Sequence, residues 1–204
     1  VNGGCQGEYI PNKKTNDSDF PLVYSAERID YLLKTETTKL IGNAKAKHEN
    51  TDLKAGFIEV NWPTRILNAF PKQPNDSINQ FIKPTIIEKG RDPMVGNEMT
   101  YNLDTKKGKI NYGKTKADDG FYKGKEIRNE SDKTIYIKNS IFTTCDLDTP
   151  HFHFESNKMK IVQNDVVIAK PIILKIAEIP IVGVPLAIFP HQGGKRHSGW
   201  IMPA

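Results

Sequence analysis

His151 and His153 stand two residues apart, interleaved with Phe152 and Phe154, with Asp146 and Asp148 a few positions upstream. On a β-strand, side chains two apart share a face, so the two imidazoles could fill two positions of a tetrahedral Zn²⁺ site if a third ligand arrived. No closing ligand stands at a metal-binding spacing, and no metal site is expected. Lys195, Arg196 and His197 follow Gly193-Gly194 and precede Ser198-Gly199. Glycines and basic groups are what a phosphate-cradling loop uses, but the Walker spacing and its strand-to-helix setting are missing. There is no Gly-x-Ser-x-Gly elbow, no Ser/His/Asp order at a recognisable local spacing, and no nucleophile setting around Cys145. These absences point away from an enzyme and call for no cofactor. The two cysteines, Cys5 and Cys145, are compatible with one disulfide, two free thiols, or partners outside this chain.

The elements that would position these groups are strands. Ile outnumbers Leu 23 to 10 and Ala reaches only 10, the reverse of what helix propensity selects. Leu, Ile, Val and Phe make up a quarter of the 204 residues, enough to exclude disorder of the whole chain. The net charge of +5 comes from Lys far more than Arg, 24 against 5. Arg is the residue of bidentate phosphate recognition, whereas scattered Lys keeps exposed strand edges soluble, so no nucleic-acid partner is expected. The most apolar stretch, Val166 to Phe189, is broken by Lys170, Lys175, Glu178 and three prolines, which excludes a membrane-spanning helix there.

Period-two alternation recurs along the chain, as in Ile29-Tyr31, Ile58-Val60, Ile135-Ile137 and Met159-Ile161, with turn residues between the runs. About eleven strands or more and no helix are predicted. Residues 1–20 read as a loose arm, 21–195 as the β domain, and 71–93, rich in Pro, as a long loop inside it. An internal repeat links Ile29, Tyr31, Thr35, Gly42 and Lys45 to Met99, Tyr101, Thr105, Gly113 and Lys116, at an offset of 70 that becomes 71. Similar hairpins stacked along an elongated β structure would produce it. In Val166 to Phe189 the apolar residues fall on both parities. Such a segment is either a central strand of a sandwich core or one whose inner face lines an apolar groove.

The last sixty residues carry a further signal. Thr143-Thr144-Cys145-Asp146, Pro150-His151-Phe152, Ile179-Pro180-Ile181-Val182-Gly183-Val184-Pro185, Phe189-Pro190 and Arg196-His197-Ser198-Gly199-Trp200-Ile201-Met202-Pro203 follow one another in that order. The series resembles the end of the periplasmic domain in the outer-membrane lipopolysaccharide-assembly, or organic solvent tolerance (OstA-like), family. Leu40-Ile41-Gly42-Asn43-Ala44-Lys45 is similar to the Gly-Asn-Ala strand of related periplasmic carriers. The resemblance covers roughly 25–204, and it implies an open, V-shaped antiparallel β-jellyroll enclosing an apolar groove. It implies non-enzymatic lipopolysaccharide transport at the periplasmic face of the outer membrane of a Gram-negative bacterium. An upstream periplasmic β-jellyroll carrier would deliver the lipid. A transmembrane barrel with its plug lipoprotein would receive it, with 196–204 as the lead-in, and Cys145 would pair with a cysteine of that barrel. Alternation then nominates Ile29, Tyr31, Ile58, Val60, Ile135, Ile137, Phe152, Phe154, Ile172, Leu174 and Ile176 for the acyl chains. The alternatives are a free-standing bridge carrier of the same fold, and a β-sandwich adhesin or glycan-binding module that would expose Trp62 and Trp200.

Overall fold

The computed structural model describes residues 5–9, 22–72, 81–89, 92–117, 120–131, 133–147, 149–162 and 165–190. Among these there is no helix, and every strand pairing is antiparallel. The strands are β1 (Cys5–Tyr9), β2 (Leu22–Ala26), β3 (Arg28–Leu32), β4 (Thr37–His48), β5 (Thr51–Asn61), β6 (Ile66–Phe70), β7 (Thr85–Glu88), β8 (Met94–Val95), β9 (Glu98–Asn102), β10 (Gly108–Ala117), β11 (Gly120–Ser131), β12 (Thr134–Thr143), β13 (Phe152–Val162), β14 (Val166–Lys170), β15 (Ile172–Ile176), β16 (Ile179–Val184) and β17 (Ala187–Pro190). The described residues hold seventeen strands, where about eleven or more were expected, because several long alternating runs are cut into shorter pieces.

The cuts line up. The long strands β4, β5, β10 and β13 each pair along one edge with one neighbour in their first half and another in their second, while β11 and β12 run unbroken between them. The result is two rows of strands. One row runs β3-β4-β5-β6-β9-β10-β11-β12-β13-β14-β17, the other β1-β2-β4-β5-β7-β8-β10-β11-β12-β13-β15-β16. Small residues mark the line between the rows: Ala44 faces Ala55, and Gly113, Gly124, Ser140 and Ser156 face one another in succession. A Cβ on Gly113 would press into Ile127, and one on Gly124 into Ile137, so these two positions leave no room for a side chain. Asn43, Tyr112 and Asn139 take left-handed backbone there, with φ of 43°, 51° and 48°. L-residues adopt that conformation at a cost, and here it re-aims the strand from one row to the other.

Because β5 and β10 belong to both rows, the pairings β5–β6, β6–β9, β9–β10, β10–β8, β8–β7 and β7–β5 return to their start. A closed six-stranded barrel therefore stands where an open V was expected. The core runs through it and beyond it on both sides, from the fully buried Leu40 on β4 and Ile58 and Val60 on β5 to Ile137 and Met159. At about 0.8 kcal/mol per buried CH₂, these residues anchor this part of the molecule.

Several expectations change. The predicted loose arm contains β1, paired with β2 from Cys5↔Ala26 to Tyr9↔Leu22. The predicted loop 71–93 contains β7, paired with β5; residues 73–80 and 90–91 lie outside the described residues. The alternating segment that holds Ile29 and Tyr31 is β3, parted from β2 at Glu27, whose N–H donates to the Gly42 carbonyl at 3.0 Å. Val166 to Phe189 is not a central sandwich strand. It forms four short strands at the end of both rows, and β16 is exposed along its whole length.

The repeat has a structural counterpart, since Ile29↔Leu40↔Ile58 in β3-β4-β5 matches Met99↔Ile110↔Ile127 in β9-β10-β11. Its extra residue falls in the first copy, at the Ile41/Ala44 bulge, rather than in the second. Ala46 is therefore the counterpart of Thr115, and Lys45 of Lys114 rather than Lys116.

Candidate functional site

Directly opposed residues on neighbouring strands share a face, so the register traces what each row presents inward. In the first row one line runs Ile29-Leu40-Ile58-Ala69-Met99-Ile110-Ile127-Ile137-Met159-Ala169-Ala187. Beside it runs Tyr31-Thr38-Val60-Leu67-Tyr101-Gly108-Asn129-Ile135-Ile161-Val167-Phe189. The second row presents Tyr24-Ala46-Leu53-Ile86-Met94-Thr115-Tyr122-Phe142-Phe154-Leu174-Val182. Alternation that looks local in the sequence thus becomes two almost unbroken apolar surfaces.

The two surfaces face each other across a cavity of about 440 Å³. Leu67, Met99, Tyr101, Ile110, Ile127, Ile135, Ile137 and Ile161 line it from the first row, and Leu22, Leu53, Ile86, Met94 and Tyr122 from the second. At its edge, where His48 and Tyr101 line it, the rims of the rows are tied together. The Lys106 ammonium, in the β9–β10 turn, donates to the Glu49 carboxylate, in the β4–β5 turn, at 3.0 Å. His48 meets Tyr101 edge-on, with ring centroids 6.3 Å apart. Burial, the largest influence on His48, pushes its imidazole below the ordinary value, while the neighbouring Glu49 carboxylate pulls the other way.

Away from this clasp the inner faces come into the open. Tyr122, Phe142 and Phe154 form an aromatic ladder, with centroids 4.7 Å and 6.3 Å apart. It continues through Leu174 to Val182, which is 56% exposed. Phe189 closes the facing line at 45% exposed.

The eleven nominated residues all fall on these inward lines or on the same strand parity, but their surroundings differ. Ile135 and Ile137 line the cavity. Ile58 and Val60 are sealed in the core, and Ile29 and Ile172 pack against it. Phe154 and Leu174 belong to the open ladder, Phe152 and Ile176 are exposed at its margin, and Tyr31 is exposed on β3 at the other end of the first row. Met99 and Tyr101 line the cavity and were not nominated, although the repeat pairs them with Ile29 and Tyr31. Reading both copies alike would have found them.

The candidate chemistry disperses. His151 is exposed, and its Nδ1 stands 3.7 Å from the half-buried, free Cys145 sulfur. His153 is buried, with Nδ1 3.9 Å from a Glu178 carboxylate oxygen. The two imidazoles therefore do not share a surface, and no group of three or more potential metal ligands exists among the described residues. The 193–199 loop and the 196–204 segment lie outside the described residues. No protein-family model and no curated protein matches the chain.

Proposed function

We propose that the chain is a periplasmic domain of the outer-membrane lipopolysaccharide-assembly family, a non-enzymatic surface along which acyl chains pass toward a transmembrane barrel. The observation that carries this reading is the pair of opposed apolar lines, enclosed at the clasp and open at β14–β17. An acyl chain needs no directional contacts, only a continuous dry surface worth about 0.8 kcal/mol per CH₂. A cavity of about 440 Å³ is of the size small ligands occupy. Beyond the six-stranded barrel the rows would act as the walls of an open jellyroll, with the polar head of the lipid left in water.

Delivery from an upstream carrier of the same fold would use the edge of β3, since β1 covers β2. The barrel and its plug lipoprotein would stand beyond β16 and β17, and Cys145 would pair with a barrel cysteine. A glycan-binding module displaying Trp62 is disfavoured, because Trp62 is buried and its indole N–H donates to the Thr38 hydroxyl at 2.8 Å. Photocrosslinking to lipopolysaccharide from positions 137 and 174, with position 39 on the opposite face as control, tests the reading. High yield from the two inward positions and background yield from the outward one is expected; equal yields from all three would overturn it.

A further inference from the structure

The outer face of the first row carries its charges in two different ways. Toward β3 the signs alternate across strands, as Asp30↔Lys39↔Glu59. Past β11 they do not. Lys138, Lys158 and Lys170 stand directly opposite one another on β12, β13 and β14. Beside them run Arg128, Tyr136 and Lys160, continued by Ile168 and Ile188. Like charges directly opposed across strands destabilise a sheet. One acid, Glu126, lies at the edge of the group, and it is shared by Lys138 at 2.8 Å, Arg128 at 2.9 Å and Lys109 at 3.2 Å. Among the described residues, Lys158 and Lys170 have no ion pair.

We propose that this face docks on a membrane surface rich in anionic, phosphate-bearing lipid headgroups. Strand spacing near 4.8 Å spreads the cations over roughly 15 Å from β11 to β14, too wide for one phosphate and matched to a plane of them. The face is built mainly of Lys, a point charge that does not demand the bidentate geometry of a fixed partner. Tyr136 is partly exposed with the Lys160 ammonium 5.7 Å from its ring centroid, and Ile188 is 61% exposed. An amphipathic ring and an apolar tip beside a basic belt are what an interfacial surface presents. Nothing in this inference depends on what the groove holds.

Co-sedimentation of the full chain with phosphatidylcholine vesicles, with and without phosphatidylglycerol, at low and high salt, is the test. Binding is expected only with phosphatidylglycerol, and weakened by salt. K158Q and K170Q should each reduce it about fivefold and the double variant roughly 25-fold, while K39Q leaves it unchanged. The melting temperature of K158Q/K170Q should stay level or rise, because opposed like charges are removed. Undiminished binding by the folded double variant, or equal binding to vesicles lacking phosphatidylglycerol, would overturn the proposal. Absence of vesicle binding altogether, with capture of an acidic protein or nucleic acid instead, would also overturn it.

Discussion

The two ends of the inner surface are made of the same kinds of residue in the same alternation, yet one is a sealed core and the other an exposed groove. Ile58 and Val60 have no accessible surface, whereas Val182 and Phe189 are about half exposed. What differs is the opposing row. Around β5 and β10 the rows share strands, close a six-stranded barrel, and are tied across the rim by Glu49 and Lys106. Past β13 they end in separate short strands, β14-β17 and β15-β16, and nothing described lies across from them. Alternation determines which side chains face inward; the distance to the second row determines whether they are dry. A surface of this kind can hold its own fold at one end and remain available to an apolar ligand at the other.

The largest effect should come from placing a charge at each end. Val60→Asp buries a carboxylate with no partner and should cost more than about 4 kcal/mol, enough to unfold a marginally stable domain. Val182→Asp leaves its charge in water and should move stability by no more than about 1 kcal/mol. Urea melts followed by circular dichroism measure both. Comparable losses at the two positions would mean that the open end is packed in solution and that the contrast between the ends is false.

This contrast marks the limit of what the sequence discloses. Ile29, Ile58 and Ile137 could be assigned to one face from period two alone, and the register puts them on a single cross-strand line. Depth could not be assigned in the same way, because burial of Val60 depends on strands far from it in the chain. The fold line was also hidden. Tyr112 and Asn139 stand in left-handed backbone where β10 and β12 reverse their inward parity, and Tyr112 is not a residue whose type announces that conformation. The break at Glu27 has the same character, since a hydrogen bond to Gly42 is a tertiary contact. β7 was masked by the prolines around it, which the chain accommodates by starting the strand after Pro84.

A second comparison, between the mixed and the basic parts of the outer face, turns on Glu126. Hydrogen bonding from Lys138, aided by Lys109 and Arg128 and opposed by partial desolvation, pulls its carboxyl from 4.5 down to about 2. A depressed carboxylate stabilises the folded state above its ordinary value, and that contribution is lost as the pH falls through the folded one. Glu126→Gln should therefore melt at a lower temperature than the parent at neutral pH. The gap should narrow as pH drops from 4.5 toward about 2 and vanish below it. Thermal melts across that range check this. A gap that persists in strong acid would assign the effect to packing rather than charge and remove Glu126 as the boundary of the basic face.

The smallest effect on stability is expected at the clasp, where it bears most directly on why one end is closed. Glu49 is mostly buried and Lys106 less so, so their ion pair belongs to the partly exposed class worth about 0.2–1 kcal/mol. Glu49→Gln should cost no more than that in a urea melt. Its local consequences should be plainer. Removing the carboxylate takes away the charge that holds the His48 imidazole up, so the His48 titration followed by NMR should move to still lower pH. With the rims untied, amide exchange at Tyr101 and Leu103 on the first row should quicken, while exchange at Ile58 in the sealed core stays slow. An unchanged His48 titration together with unchanged exchange at Tyr101 would show that the barrel pairings alone keep the rows together, and that the ion pair rests on a rim already closed by the strands beneath it.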